Sequence, residues 1–121
     1  MAASTAELIQ GAVERVQAAA PALAKLKLVF GIELRGRGDI QAYRVELPGP
    51  KVTKGFSQEE RVHVSVPRAD FNELATKGNL SDWREAYTHG HLKAEGDPEV
   101  RKLIGTVIER QIARSGLKRG R

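Results

Sequence analysis

The sequence predicts an α+β domain in which helices gather on one face of a sheet. Apolar residues recur at helical spacing near both ends of the chain, while the region between them holds several strands that alternate apolar and polar residues. Runs of strands with helices at the ends, rather than strict alternation, are typical of this class. The 121 residues suit one domain. We expect it to span residues 1–116, followed by a basic tail at residues 117–121.

The first elements are predicted to be a helix and a β-hairpin. Ser4 or Thr5 can cap the helix, which carries an apolar stripe and stops at a proline. Over residues 26–34, five apolar side chains alternate with other residues and so lie on one face of a strand. The stretch RGRGD supplies two glycines able to take positive φ, which predicts a turn into a second strand over residues 40–47.

The second half of the chain is predicted to contain three more strands and three helices. A short edge strand surrounds Val52, and RVHVSV follows as a half-buried strand. Pro67 starts one small helix and Ser81 caps another, after which HLKAE forms a strand. Asp97 caps the longest helix, which runs to about residue 115. We expect the two terminal helices together to cover the apolar face of residues 26–34.

Composition excludes several classes of protein. The hydrophobic fraction of 40% and charged fraction of 29% are those of a soluble globular chain, and no apolar run approaches the roughly 18 residues of a membrane span. The N-terminus lacks the basic and apolar regions of a secretory signal, so we expect a cytoplasmic protein. Since the chain has no cysteine, disulfides and thiolate chemistry are excluded.

The basic charge of the chain does not predict a nucleic-acid partner. Much of the net charge of +5 lies in the last residues, where a helix C-terminus favours cations. The six aromatic residues are scattered and do not interleave with basic ones, as a platform for single strands requires.

Metal and phosphate sites are weakly indicated. His89 and His91 flank a glycine, and His63 lies on a predicted strand, but a metal needs three or four convergent ligands. A helix N-terminus can bind phosphate, yet here Asp97 can accept those N–H bonds itself and Glu99 adds a second negative charge. We therefore predict no metal.

Catalysis is not predicted either. The carboxylates of Asp70, Glu73, Asp82 and Glu85 fall on helices beside solvent-type residues, without the burial that separates the pKa values of an acid and a base. The chain contains no nucleophile elbow, phosphate loop or dinucleotide motif. We therefore expect no enzyme and no cofactor.

Apolar surface remains as the feature able to carry a function. The aromatic side chains of Phe30, Tyr43, Phe71, Trp83 and Tyr87 either form a plain core or line a gap beneath loosely packed small helices. A gap of this kind would bind an acyl chain, because each buried CH₂ contributes roughly 0.8 kcal/mol. Sequence patterning alone leaves both interpretations open.

The stretch VHVSVPRADFNELATKGNLSDWREAYTHGHLKAEGD resembles the sterol carrier protein type-2 family. In that family, a valine-rich strand leads into a helix with Phe and Leu, a glycine, a short helix ending in glycine, and a strand closing with Gly-Asp. The hairpin FGIELRGRGDIQAYRVEL also resembles the first two strands of the family, so the resemblance covers roughly residues 20–115. The matching residues are Val62, Val64, Val66, Phe71, Leu74, Gly78, Leu80, Trp83, Ala86, Gly90, Leu92, Gly96 and Asp97.

The resemblance implies a five-stranded mixed sheet with helices on one face and a hydrophobic tunnel between them. It implies non-catalytic binding or transfer of a fatty acid, a fatty acyl-CoA or a sterol-like ligand, with transient membrane contact at most. Some family members end in a peroxisomal Ser-Lys-Leu address, whereas this chain ends in LKRGR.

We therefore predict a lipid-binding pocket with Lys or Arg at its mouth. Two alternatives remain open: an accessory or interaction module of the same fold with a closed pocket, and an enzyme acting on a small lipid-like substrate through Tyr87, His89 and Asp97. The predicted lining residues are Phe30, Ile32, Val64, Phe71, Leu74, Trp83, Tyr87, Leu103 and Val107.

Overall fold

The computed structural model describes residues 4–55 and 60–119, which form a five-stranded sheet and four α-helices. The strands lie in the order β3-β2-β1-β4-β5; β1 and β4 are parallel, and the other neighbouring pairs are antiparallel. This architecture confirms the predicted α+β class with a mixed sheet. The elements are α1 (Thr5–Ala19), a 3₁₀ helix (Pro21–Lys25), β1 (Val29–Arg35), β2 (Ile40–Glu46), β3 (Lys51–Lys54), β4 (Val62–Pro67), α2 (Arg68–Lys77), α3 (Leu80–Thr88), β5 (Lys93–Gly96) and α4 (Pro98–Arg119).

The register of the strands separates an apolar face from a polar face. Ile32 of β1 lies opposite Tyr43 of β2 and Val64 of β4, and this face packs against the helices. Successive side chains of a strand point to opposite faces, so Glu33 and His63 lie on the outer face of the sheet. The prediction that helices gather on one face is confirmed by this division.

A capping box begins α1. The Ser4 hydroxyl accepts a hydrogen bond from the Glu7 backbone N–H at 3.2 Å, and the Glu7 carboxylate accepts one from the Ser4 N–H at 2.9 Å. These bonds satisfy two backbone donors that have no partner inside the helix. The sequence predicted this cap as Ser4 or Thr5, and Ser4 is the residue that serves.

Ser4→Ala should lower the free energy of unfolding by about 1 kcal/mol, because the substitution removes the acceptor of the cap. Urea denaturation measures the change, and Thr5→Ala, one residue into the helix, is the matched control with an intact cap. Equal stability of Ser4→Ala and the unsubstituted protein would mean that water replaces the cap without cost.

Two local predictions are corrected by the small helices and the first strand. The N-cap of α3 is Asn79 rather than Ser81. The Asn79 side chain accepts a hydrogen bond from the Asp82 N–H at 2.9 Å, and the Asp82 carboxylate accepts one from the Asn79 N–H at 3.0 Å. The first strand begins at Val29, not at Leu26, since the 3₁₀ helix occupies the residues after Pro21. Leu26 therefore does not lie on the sheet face, and it packs against Ala20, Leu23 and Leu80.

The long helix α4 begins as predicted but packs differently. The Asp97 carboxylate accepts from the backbone N–H groups of Glu99 and Val100 at 2.9 and 3.3 Å, which confirms the predicted cap. The apolar residues of α4 pack with Leu23, Leu26 and Leu80 in the second cluster, whereas α1 packs over Ile32 and Leu34, so α1 and α4 do not cover residues 26–34 together as predicted. Across residues 4–55 and 60–119, no helix has both the length and the apolar character of a membrane span.

Candidate functional site

Two hydrophobic clusters lie between the sheet and the helices. The main cluster lies under α1 and α2, and the second cluster joins the end of α1 to α3 and α4. The buried members of the main cluster are Ile9, Ala12, Ile32, Leu34, Tyr43, Val45, Val66, Phe71 and Ala75. The second cluster contains buried Ala20, Leu23 and Leu80, with half-buried Val16, Leu26, Ile104, Val107, Ile108 and Ile112 packed around them.

A small cavity lies where the two clusters meet, and we call it the seam cavity. Its volume is about 80 Å³. Ala12 and Trp83 on its wall belong to or pack against the main cluster, whereas Val16 and Leu80 belong to the second cluster. The full lining is Ala12, Arg15, Val16, Ala19, Gly78, Asn79, Leu80 and Trp83.

Helical spacing places α1 across both clusters. Ala12, Val16 and Ala19 are four and three residues apart, so they occupy one face of α1 and together form one wall of the seam cavity. The opposite wall comes from the connection between α2 and α3 and from the first turn of α3. The seam cavity is thus bounded by elements distant in sequence, and its width depends on how closely α1 and α3 pack.

Trp83 links the seam cavity to the core. Its ring meets that of Phe71 edge to face, with centroids 6.1 Å apart and an interplanar angle of 65°. Phe71 is 1% exposed, whereas Trp83 is only half-buried and reaches the cavity wall. Of these two contacting aromatic residues, Phe71 therefore belongs to the core and Trp83 to the cavity.

The nine predicted lining residues do not share one surface. Ile32 and Phe71 are buried in the main cluster, while Tyr87 and Leu103 are 51% and 47% exposed. Trp83 is the member of the set that lines the seam cavity. The remaining members are half-buried, and these are Phe30, Val64, Leu74 and Val107.

The positively charged side chain of Arg15 lies at the wall of the seam cavity. The Arg15 guanidinium donates from Nη1 to the carbonyl oxygen of Thr76 at 3.4 Å, which holds it across the gap between α1 and α2. The bond is exposed, so the charge also reaches solvent. The predicted Lys or Arg at the pocket mouth thus has a specific candidate, which the sequence did not distinguish among twenty basic residues.

A larger, open cleft occupies the end of the sheet where β1 begins and β2 ends. Its volume is about 530 Å³, and sequence reasoning did not find it. The chain turns through Pro48 and Gly49 there, and a turn signal in the sequence does not reveal which neighbouring residues will enclose a space. The lining residues are Lys27, Leu28, Val29, Glu46, Leu47, Pro48, Gly49 and Lys51.

The histidines do not form a metal centre in the described residues. His89 and His91 approach each other with ring centroids 6.4 Å apart, but His63 lies on β4 between two glutamates. No group of three or more His, Asp or Glu side chains in residues 4–55 and 60–119 has an arrangement that could hold a metal ion.

Asp97 is committed to structural contacts. Its carboxylate accepts a hydrogen bond from Arg61 in addition to those from the start of α4. The Arg61 guanidinium and these backbone N–H groups hold the pKa of Asp97 below its ordinary value. Asp97 therefore stays ionised near neutral pH and is poorly suited to donate a proton.

Solved structures with similar folds align over most of this chain. Palmitated sterol carrier protein 2-like 2 from Aedes aegypti has a TM-score of 0.64 at 23% identity, covering 88% of this chain and 95% of its own. Sterol carrier protein 2 from Aedes aegypti in complex with palmitate has a TM-score of 0.59 at 15% identity, covering 89% and 96%.

The ubiquinone synthesis protein UbiJ-SCP2 also has a similar fold, with a TM-score of 0.52 at 15% identity, covering 88% of this chain and 90% of its own. No protein-family model and no curated protein matches the sequence. The likeness is therefore one of three-dimensional fold rather than of close sequence. The chain has the fold of sterol carrier protein 2.

Proposed function

We propose that the protein binds the acyl chain of a fatty acid or related lipid at the seam cavity, without catalysis. The observation that carries this proposal is the position of the cavity between two separate hydrophobic clusters. A single continuous core resists opening, because every contact there would be lost at once. Two clusters that meet at a gap can separate by a smaller movement, and the new space is apolar on both sides.

The seam cavity must widen to admit a lipid. Pockets that hold ligands of drug size occupy about 300–1,000 Å³, and the cavity has about 80 Å³. The second cluster is the side that can move, since the α4 side chains described between residues 98 and 114 are all half-buried or exposed. Because α4 packs behind Leu80 of α3, displacing α3 together with α4 should cost less than displacing α1, whose Ile9 and Ala12 are 1% and 4% exposed.

The polar end of the ligand is proposed to lie at Arg15. A guanidinium forms charge-assisted bonds to a carboxylate, and Arg15 already lines the cavity while reaching solvent. A fatty acid could then place its carboxylate at Arg15 and its methylenes between the clusters. The palmitate-bearing structures of similar fold from Aedes aegypti support this ligand class.

Ala19→Trp should weaken the binding of palmitate several-fold, because the indole would cover the seam cavity. Ala19 is exposed at the end of α1 and lines the cavity, so the larger side chain fits without overpacking the core. Displacement of a fluorescent fatty acid measures the affinity. Ala18→Trp is the matched control, since Ala18 is exposed on the same helix and is not part of the cavity lining.

Unchanged affinity in Ala19→Trp, with both variants folded, would exclude the seam cavity as the route of the acyl chain. Equal losses in Ala18→Trp and Ala19→Trp would point to a general effect of an added indole on α1. Melting temperatures of both variants establish that the comparison concerns folded protein.

A second candidate function is that of an accessory module whose pocket stays closed. The small volume of the seam cavity favours it, and the ubiquinone synthesis protein UbiJ-SCP2 has a similar fold. Native mass spectrometry of the protein purified from cells separates the two candidates. Lipid that co-purifies supports the carrier, whereas an empty protein that also ignores a fluorescent fatty acid supports the accessory module.

A further inference from the structure

Three side chains on the outer face of the sheet form a compact cluster away from the seam cavity. His63 of β4 contacts the Glu60 carboxylate through Nδ1 at 2.9 Å and the Glu33 carboxylate through Nε2 at 3.0 Å. All three side chains are about one fifth exposed, at 21%, 21% and 20% respectively. The cluster therefore links β1, β4 and Glu60, which lies two residues before β4.

The geometry of the cluster requires a protonated ring for full bonding. A neutral imidazole has one N–H, so it can donate to only one of the two carboxylates and turns a lone pair toward the other. The imidazolium donates to both. Burial lowers the pKa of His63, but the hydrogen bonds with Glu33 and Glu60 and the charges of these two carboxylates outweigh it, so that the pKa lies above its ordinary value.

Gly31 provides the space for the cluster. A Cβ atom at this position of β1 would lie 1.9 Å from Oε2 of Glu60 and 3.1 Å from Nδ1 of His63. The first distance is shorter than a real Cβ contact and the second is tight, so any side chain at this position would displace the Glu60 carboxylate, which lies against the β1 backbone. The cluster thus depends on a specific glycine in a strand, a residue that ordinarily weakens strands.

Other charged groups share this face of the sheet with the cluster. Glu95 of β5 lies opposite His63 and Lys93 lies opposite Ser65, while Arg44 of β2 lies opposite Gly31 and pairs with Glu46 at 3.3 Å. Arg35 ends the same face of β1, and Arg61 pairs with Asp97. Because Glu33 and Glu60 approach opposite nitrogens of the ring, the three side chains do not converge on one point as metal ligands would.

We propose that Glu33, His63 and Glu60 form a proton-dependent clasp that holds the start of β4 against β1, closing as the pH falls and loosening as it rises. The backbone bond from Arg61 N–H to the Val29 carbonyl, 2.8 Å long, lies in the segment that the clasp secures. Because the folded state binds the His63 proton more tightly than the unfolded chain, the stabilisation is present below the ordinary histidine pKa and is lost as pH rises through the folded value.

NMR titration of the intact protein from about pH 5 to about pH 9 tests the clasp on the ring protons of His63, a range that brackets histidine titration. We expect the midpoint of His63 to lie above that of the unfolded chain, and Glu33→Gln and Glu60→Gln each to lower it. Hydrogen exchange, corrected for its intrinsic pH dependence, should show the Arg61 amide losing protection several-fold across the transition. His63→Gln should abolish that pH-dependent loss, and His89→Gln, an exposed histidine on the C-cap of α3, should preserve it.

A His63 midpoint at or below that of the unfolded chain would overturn the clasp. So would Arg61 protection that depends on pH equally in His63→Gln and in the unsubstituted protein. Gly31→Ala provides an independent variant, because it displaces Glu60 without removing a charge. It should lower the His63 midpoint as Glu60→Gln does, and an unchanged midpoint in folded Gly31→Ala would contradict the proposed contact.

Discussion

Replacing Phe71 by alanine should lower the free energy of unfolding by about 3–5 kcal/mol. Phe71 is 1% exposed and packs in the main cluster with residues of the sheet and of α1. The substitution removes an aromatic ring from a site enclosed on all sides, so it loses both the burial of the ring and the contacts of its neighbours. Chemical denaturation followed by far-ultraviolet circular dichroism measures the change.

Tyr87→Ala is the control for the loss of an aromatic ring. Tyr87 is 51% exposed on α3, so its removal should change the free energy of unfolding by no more than about 0.5 kcal/mol. A Phe71→Ala protein that loses no more stability than Tyr87→Ala would contradict the assignment of Phe71 to the core. A Tyr87→Ala protein as unstable as Phe71→Ala would reveal contacts of Tyr87 that its exposure does not suggest.

Much of the fold could be predicted because local patterns coincide with its elements. The alternation of valines in RVHVSV has the period of a strand, and β4 forms there with Val62 and Val66 buried at 4% and 0%. Gly38 takes a positive φ of 74° in the predicted hairpin turn, where a residue with a Cβ would be strained. Both signals depend only on residues within a few positions of each other.

The start of β1 and the cap of α3 were predicted less well because short-range signals competed. Leu26 fits the alternation of the strand, but Pro21–Lys25 forms a 3₁₀ helix that ends at Leu26. The Leu26 side chain therefore packs in the second cluster. Ser81 is a good capping residue, yet Asn79 stands two positions earlier and forms a reciprocal pair with Asp82. The two hydrogen bonds between Asn79 and Asp82, three positions apart, fix the start of α3, so the prediction missed a local pair.

The position of the candidate site could not be read from periodicity. Hydrophobic periodicity shows that a residue faces the interior, but it does not show that the interior divides into two clusters with a gap between them. Val16 and Leu80 both read as ordinary interior residues, although they are separated by more than sixty positions and meet at the seam cavity. The residues alone left Trp83 as either core or lining; it was predicted to line a pocket after the resemblance was added, and it lies on the wall of the seam cavity.

The pair formed by Phe71 and Trp83 offers a direct separation of stability from binding. Their rings are in edge-to-face contact, so both substitutions remove the same aromatic interaction, worth about 0.5–1.5 kcal/mol. Only Trp83 lines the seam cavity. If the proposed function is correct, Phe71→Ala should lose mainly stability and Trp83→Ala should lose mainly affinity for palmitate.

Trp83→Ala should weaken palmitate binding roughly fifteenfold and lose more binding free energy than unfolding free energy. The estimate assumes that the indole covers about two methylenes, each worth about 0.8 kcal/mol when buried, and a factor of ten corresponds to about 1.4 kcal/mol. Trp83 is the single tryptophan of the chain, so its fluorescence reports palmitate binding in the unsubstituted protein. Displacement of a fluorescent fatty acid measures the affinity of Trp83→Ala and Phe71→Ala. Unchanged palmitate affinity in Trp83→Ala, together with a loss of stability like that of Phe71→Ala, would contradict the proposed role of Trp83. The two rings in contact would then both be core residues that differ only in their exposure.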